Sequence, residues 1–170
     1  MELISGRDVE TALSIATRER WRYAQTGILI PIGTLKKADV YDKADVDRLC
    51  PPQRMPITPP RPSIAVRLAE PKQRDDSTDP DDWMGWNEAW TDNRKMEAAR
   101  KYWAVADPDA LIGGALIAIV GRFIVGAWRI LEAPSERDKI AFKVKPDPKL
   151  SYLEAGTIEL GRGPLTKVWQ

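Results

Sequence analysis

The 170-residue chain contains no histidine. The commonest general base and the commonest metal ligand are therefore both missing. Its one cysteine, Cys50, has no imidazole to activate it and precedes two prolines, so a small buried or linker residue is expected. A single cysteine also leaves no disulfide framework, which fits a reducing compartment. No charged segment followed by an apolar run opens the chain, so no signal peptide is expected. The longest apolar tract, ALIGGALIAIVG (110–121), is too short and too glycine-broken to span a bilayer. A cytoplasmic protein without membrane contact is the expectation. There is no excess of either charge, with 26 basic against 25 acidic residues, so any anion-binding surface must be local. Glycine-rich phosphate loops with a lysine are absent. The acid-x-lysine triplets at Glu70 and Asp147 are broken by Pro71 and Pro148, and Asp107 and Asp109 flank Pro108; all read as turns. No enzyme, metal or cofactor is expected.

What is present is 43% apolar residues, enough for a sizeable core. The composition divides the chain into residues 1–50, 51–82 and 83–170. PPQRMPITPPRP (51–62) cannot continue a helix, because proline lacks the amide donor and disfavours helix in the residue before it. It reads as a semi-rigid spacer, with one strand within 63–69 and a solvated acidic turn at Asp75–Asp82. In the third section Trp83, Trp86 and Trp90 recur at helical spacing and predict an amphipathic helix running on through Ala98 and Ala99. ALIAIV, FIVGAWRIL and KIAFKV then predict strands, with a hairpin turn at Gly121–Arg122. TIEL and TKVW can add two more. The expected fold class is α+β: an N-terminal helical domain, a proline-rich linker and a C-terminal helix plus small antiparallel sheet.

The first fifty residues carry the densest signal. Val9, Leu13 and Ile15 supply an apolar face for a short helix that Ser5 or Asp8 can cap. Ser14 occupies the turn. Thr17 is placed to cap a second helix that Gly27 ends. ILIPIGTLKKADVY reads as two extended runs around a loop bearing Lys36 and Lys37, and a third helix starts near Asp42 or Asp45.

This order, with Val9, Leu13, Ile15, Gly27-x-Leu29-x-Pro31, and Tyr41 followed by Asp45–Val46, resembles the winged helix-turn-helix of MerR-type regulators and phage excisionases. The resemblance implies binding to double-stranded DNA, with the second helix in the major groove and the wing on the adjoining backbone. Arg20 departs from the pattern, standing where such sequences keep an apolar residue. On the residues' own chemistry, Arg18, Arg20 and Arg22 can fork onto guanine or phosphate, and Gln25 can pair with adenine; Thr17, Lys36 and Lys37 complete the expected DNA-contacting set of this section. The plainer reading of the arginines is a solvated face balanced by Glu19. Trp21 and Tyr23 read as the core side of the helix, the alternative being packing against the sugar-phosphate backbone.

A MerR regulator continues into a long dimerisation helix, whereas prolines follow Cys50 here. One such unit alone covers few base pairs, so the last section is the candidate for further contact. Arg94, Arg100 and Lys101 share the predicted helix, and Arg162 and Lys167 lie beside turns near the end. Tryptophans as a core and lysines as ordinary sheet surface are the structural alternative. In domain order and size the whole chain resembles the immunity repressors of temperate actinobacteriophages, including mycobacteriophages. That resemblance implies a cytoplasmic, monomeric repressor in a bacterial host, reading an asymmetric operator through two domains. The competing classes are a protein-interaction module that inhibits a host complex and an excisionase-like DNA-bending factor.

Overall fold

A capping box begins the first helix. Strand β1 (Leu3–Ser5) ends at Ser5, whose hydroxyl accepts from the Asp8 amide while the Asp8 carboxylate accepts from the Ser5 amide at 3.0 Å. Helix α1 (Gly6–Leu13) stops at Ser14, in the left-handed region, and α2 (Thr17–Thr26) stops at Gly27, also left-handed. Strands β2 (Gly33–Leu35) and β3 (Ala38–Asp42) form a hairpin, and β1 pairs with the far side of β3. Asp42 caps α3 (Lys43–Asp47) by accepting from the Ala44 amide.

This is a computed structural model describing residues 1–75, 77–161 and 165–170. Beyond α3 come the short β4 (Met55–Pro56), β5 (Ser63–Leu68), β6 (Lys72–Gln73) and β7 (Trp83–Met84), then α4 (Asp92–Ala99) and β8 (Lys101–Trp103). The hairpin β9 (Ala115–Val120) and β10 (Phe123–Glu132) turns at Gly121–Arg122. Strands β11 (Ser135–Glu136), β12 (Lys139–Ala141) and β13 (Lys143–Pro146) precede a 3-10 helix at Pro148–Ala155. Strands β14 (Gly156–Thr157) and β15 (Thr166–Trp169) close the chain.

The main sheet is mixed and curled, in the order β15-β5-β9-β10-β14-β4, with β13 also on β10. β5 runs parallel to β9 over Ser63↔Ala115 to Leu68↔Val120. All six residues of β9 are buried, the pattern expected of a strand covered on both faces. Leu116, Ala118 and Val120 point into one apolar cluster with Val9, Leu13, Tyr23, Trp86 and Phe142. Ala115, Ile117 and Ile119 point into a second, with Leu150, Leu153 and Ile158. A bulge between Ile124 and Gly126 shifts the β10 register.

The expected fold class is therefore corrected. The chain is sheet-rich, 34% strand and 25% helix, and does not begin with a helical winged helix-turn-helix domain. Nor is the later sheet a small antiparallel one, since it contains the parallel β5–β9 and β4–β14 pairs. The physical reason is cover. A parallel pair at the centre needs apolar layers on both faces, and α1, α2 and α3 supply Val9, Leu13, Tyr23 and Val46 to one of them. The predicted tryptophan helix is also replaced. Trp83 lies in β7, and the helix starts only at Asp92, with Thr91 as its cap. Between them buried Gly85 has φ +90°, and an added Cβ would stand 2.2 Å from the Glu70 carbonyl oxygen. That backbone state is closed to a helix of L-residues.

Candidate nucleic-acid interface

Helix α2 has two contrasting sides. Arg20, Tyr23 and Thr26 are buried, whereas Thr17, Arg18, Trp21 and Gln25 are exposed and Arg22 is half-buried. Arg18, Trp21, Arg22 and Gln25 stand at i, i+3, i+4 and i+7, so they form one stripe along the helix. Trp21 was expected in the core; it is 59% exposed, while Tyr23 is fully buried. Thr17 is the first helical residue rather than the cap. Ala16 holds the cap position and offers no side-chain acceptor.

Arg20 faces inward and joins three elements. Its Nε meets Glu10 at 2.9 Å, and its Nη1 donates to Asp39 at 3.0 Å and to the Tyr41 hydroxyl at 2.7 Å. Burial opposes the charge, but these three bonds outweigh it and raise the guanidinium pKa. The residue that broke the apolar pattern is a buried bridge, not part of the outer stripe.

The inner side of α2 rests on the β9–β10 turn. The Tyr23 ring packs at 5.3 Å from Phe123, and its hydroxyl donates to Glu19 at 2.7 Å. Burial first, then that carboxylate, keeps the phenol protonated by raising its pKa. The pair sits directly over Gly121, where an added Cβ would lie 2.3 Å from the Tyr23 hydroxyl. The next residue, Arg122, donates to the Leu13 carbonyl, an orphan acceptor at the end of α1.

Around this contact lies a groove of about 660 Å³. Arg18 and Arg22 line it from α2, Arg67 from β5 and Arg122 from the hairpin turn, against the carboxylates Glu19 and Glu159. A second groove, about 540 Å³, shares Arg122 and Glu159 with the first and continues past Arg54 to Lys167 and Trp169. Lys167 thus lies along the same track as α2, with its ammonium 5.2 Å from the Trp169 ring centroid.

No family model, curated protein or solved structure matches this chain. Four guanidinium groups, two of them on the helical stripe and two beside it, suit an extended polyanion. At the tip of the β2–β3 hairpin, Lys36 and Lys37 are both exposed and both have positive φ, 48° and 71°. Two consecutive left-handed residues make the tight turn that normally carries Asn-Gly, so two lysines there cost conformational energy.

The remaining anticipated residues are placed elsewhere. Arg94 lies between Trp83 and Trp90, 5.2 and 5.1 Å from their ring centroids. Arg100 pairs with Glu97 at 2.8 Å and donates to the Phe142 carbonyl. Lys101 is shared by Asp82 at 3.3 Å and Glu97 at 3.8 Å. Each is engaged within the molecule, away from α2. Arg162 lies outside the described residues. Arg67 and Arg122 carry no local signal in the sequence, because only the folded sheet brings them to α2, and Arg54 joins them only through the adjoining groove. Among the described residues no group of three or more histidine, cysteine or acidic side chains is arranged to hold a metal. No helix among them is long and apolar enough to cross a membrane.

Proposed function

We propose that the protein binds double-stranded DNA sequence-specifically and represses transcription. The observation that carries this reading is the stripe Arg18, Trp21, Arg22 and Gln25, flanked by Arg67 and Arg122. A helix of this width fits the major groove, where arginine pairs bidentately with guanine and glutamine with adenine. Arg67, Arg122 and Lys167 supply phosphate contacts that fix orientation without reading bases. The resemblance to actinobacteriophage immunity repressors adds the biological role, silencing of lytic genes in a bacterial host, by one copy on an asymmetric site. No catalytic step or cofactor is part of this proposal.

Selection of bound duplexes from a random pool tests it directly. One enriched, non-palindromic sequence is expected, bound by one protein in sedimentation experiments. On that duplex Arg18→Ala or Arg22→Ala should each lose about 1–3 kcal/mol, with smaller loss on random DNA. Unenriched pools, or equal losses on every sequence, would count against sequence reading.

The lysine turn offers a sharper test, because stability and binding should move in opposite directions. Replacing Lys36 with Asn and Lys37 with Gly should stabilise the hairpin by about 1 kcal/mol. The same change should weaken DNA binding on all sequences and flatten the logarithmic salt slope by up to about two units. A more stable protein with an unchanged slope would place the hairpin tip in solvent.

A second reading is a protein-interaction surface, favoured by Trp21, Ile30 and Leu35, which are 59%, 60% and 66% exposed. It would be preferred if DNA affinity proved feeble and insensitive to salt.

A further inference from the structure

A third cavity, of about 730 Å³, opens on the far side of Arg67 from the α2 groove. Its walls are apolar. Leu68 comes from the end of β5, Met84 from β7, Ala98 from α4, Trp103 from β8 and Leu165 from the approach to β15. Trp103 is held in place by its indole N–H, which donates to the Ala99 carbonyl at 2.8 Å. The rim is cationic: Arg67, Lys72, Arg74, Lys101 and Lys139 line it against one carboxylate, Glu70.

Not all five cations are free to meet a ligand. Buried Asp82 holds Arg74 at 3.4 Å and Lys101 at 3.3 Å, and the Arg74 guanidinium lies 4.3 Å over the Tyr102 ring. Those residues form the wall. Among the described residues Lys72 pairs with Asp75, which is 81% exposed, and such a surface pair is easily exchanged. Arg67 donates to the Gly161 carbonyl, and among the described residues neither Arg67 nor Lys139 is paired with a carboxylate. Three positive groups thus surround an apolar recess whose volume suits a small organic molecule.

We infer that this recess binds a small organic anion with a flat apolar body, such as an aromatic carboxylate, sulfonate or phosphate ester. The two halves of the site demand the two halves of the ligand. An inorganic anion would leave Met84, Trp103 and Leu165 uncovered, and a neutral hydrocarbon would offer no negative charge to Arg67, Lys72 and Lys139. A DNA backbone presents phosphates along a surface and has no apolar body to fill the recess. The site does not depend on the DNA-binding reading.

The test uses the full chain and 8-anilinonaphthalene-1-sulfonate as probe, followed by fluorescence. One saturable site per chain is expected. The uncharged N-phenyl-1-naphthylamine should bind about tenfold more weakly or worse, equivalent to about 1.4 kcal/mol. The double change Lys72→Glu and Lys139→Glu, on exposed side chains, should weaken the sulfonate about tenfold or more. It should leave the neutral probe unaffected. Lys36→Glu with Lys37→Glu alters net charge equally at a distant hairpin and should change neither. Near-ultraviolet circular dichroism confirms that each variant is folded. Absence of saturable binding, equal affinity for both probes, or equal losses in the two double variants would overturn the inference.

Discussion

Gly121→Ala is expected to destabilise the protein by about 2–4 kcal/mol, the sum of a left-handed backbone penalty and overpacking. Gly121 has φ +60°, and its added Cβ would meet the Tyr23 hydroxyl at 2.3 Å and a Glu19 carboxylate oxygen at 2.7 Å. Gly113 separates the two contributions. It has φ +80° with nothing within 4 Å of a built Cβ, so Gly113→Ala should cost only about 1 kcal/mol. Urea unfolding measures both. Tyr23→Phe removes the atom that the methyl group meets first, so the double variant should lose less than the sum of the singles. Additive losses, or equal losses at the two glycines, would show that the turn does not support α2. On the proposed DNA site Gly121→Ala should also weaken binding, because Arg18 and Arg22 would be carried out of line with Arg67 and Arg122.

Arg20→Met should cost about 2–3 kcal/mol at neutral pH. Removing one member of a buried ion pair costs about 3–5 kcal/mol, and the expectation is reduced here because Glu10 and Asp39 keep 23% and 38% of their side-chain surface in water. The pH dependence provides a second readout. The hydrogen bond from Arg20, the main influence on Glu10, holds its carboxyl below the ordinary 4.5. A carboxylate whose folded pKa is depressed contributes stability that is present above the ordinary value and is lost as pH falls through the folded one. The parent protein should therefore lose this contribution progressively below about pH 4.5, and Arg20→Met should lose less on acidification. Asp8 and Asp147 are also held low, by Ser5 and Arg129 first, but the substitution leaves those pairs in place. The difference between the two curves isolates Arg20. Parallel curves would remove the Glu10 pairing from the account.

Local chemistry was legible in the chain. Of the alternative caps Ser5 and Asp8, Ser5 starts α1, and of Asp42 and Asp45, Asp42 starts α3; Gly27 ends α2, and ALIAIV with Gly121–Arg122 gives the central hairpin. These signals depend on neighbours within a few residues, so they survive without knowledge of the fold. The tryptophan spacing misled because Trp83 comes from β7 and Trp86 and Trp90 from the segment after it, so their period reflects no helix. Gly85, with its positive φ, was the residue that broke the helix. The parallel pairing of β5 with β9 was not legible, since both read as short apolar strands and nothing local sets their partner or direction.

The three arginines of α2 divide the same way. Spacing alone places Arg20 about 200° around the helix from Arg18 and returns Arg22 to within about 40° of it, at about 3.6 residues per turn. The inward turn of Arg20 was thus already contained in the sequence. That an inward arginine would find Glu10, Asp39 and Tyr41 required α1 and β3 to pack beside it. The same holds for the groove. Arg18 and Arg22 were candidates from their helix, but Arg67 and Arg122 became their neighbours only when β5 paired with β9 and the hairpin turn seated under Tyr23. Helical period is a property of the backbone, whereas a shared surface between distant segments exists only after the sheet has buried its two faces.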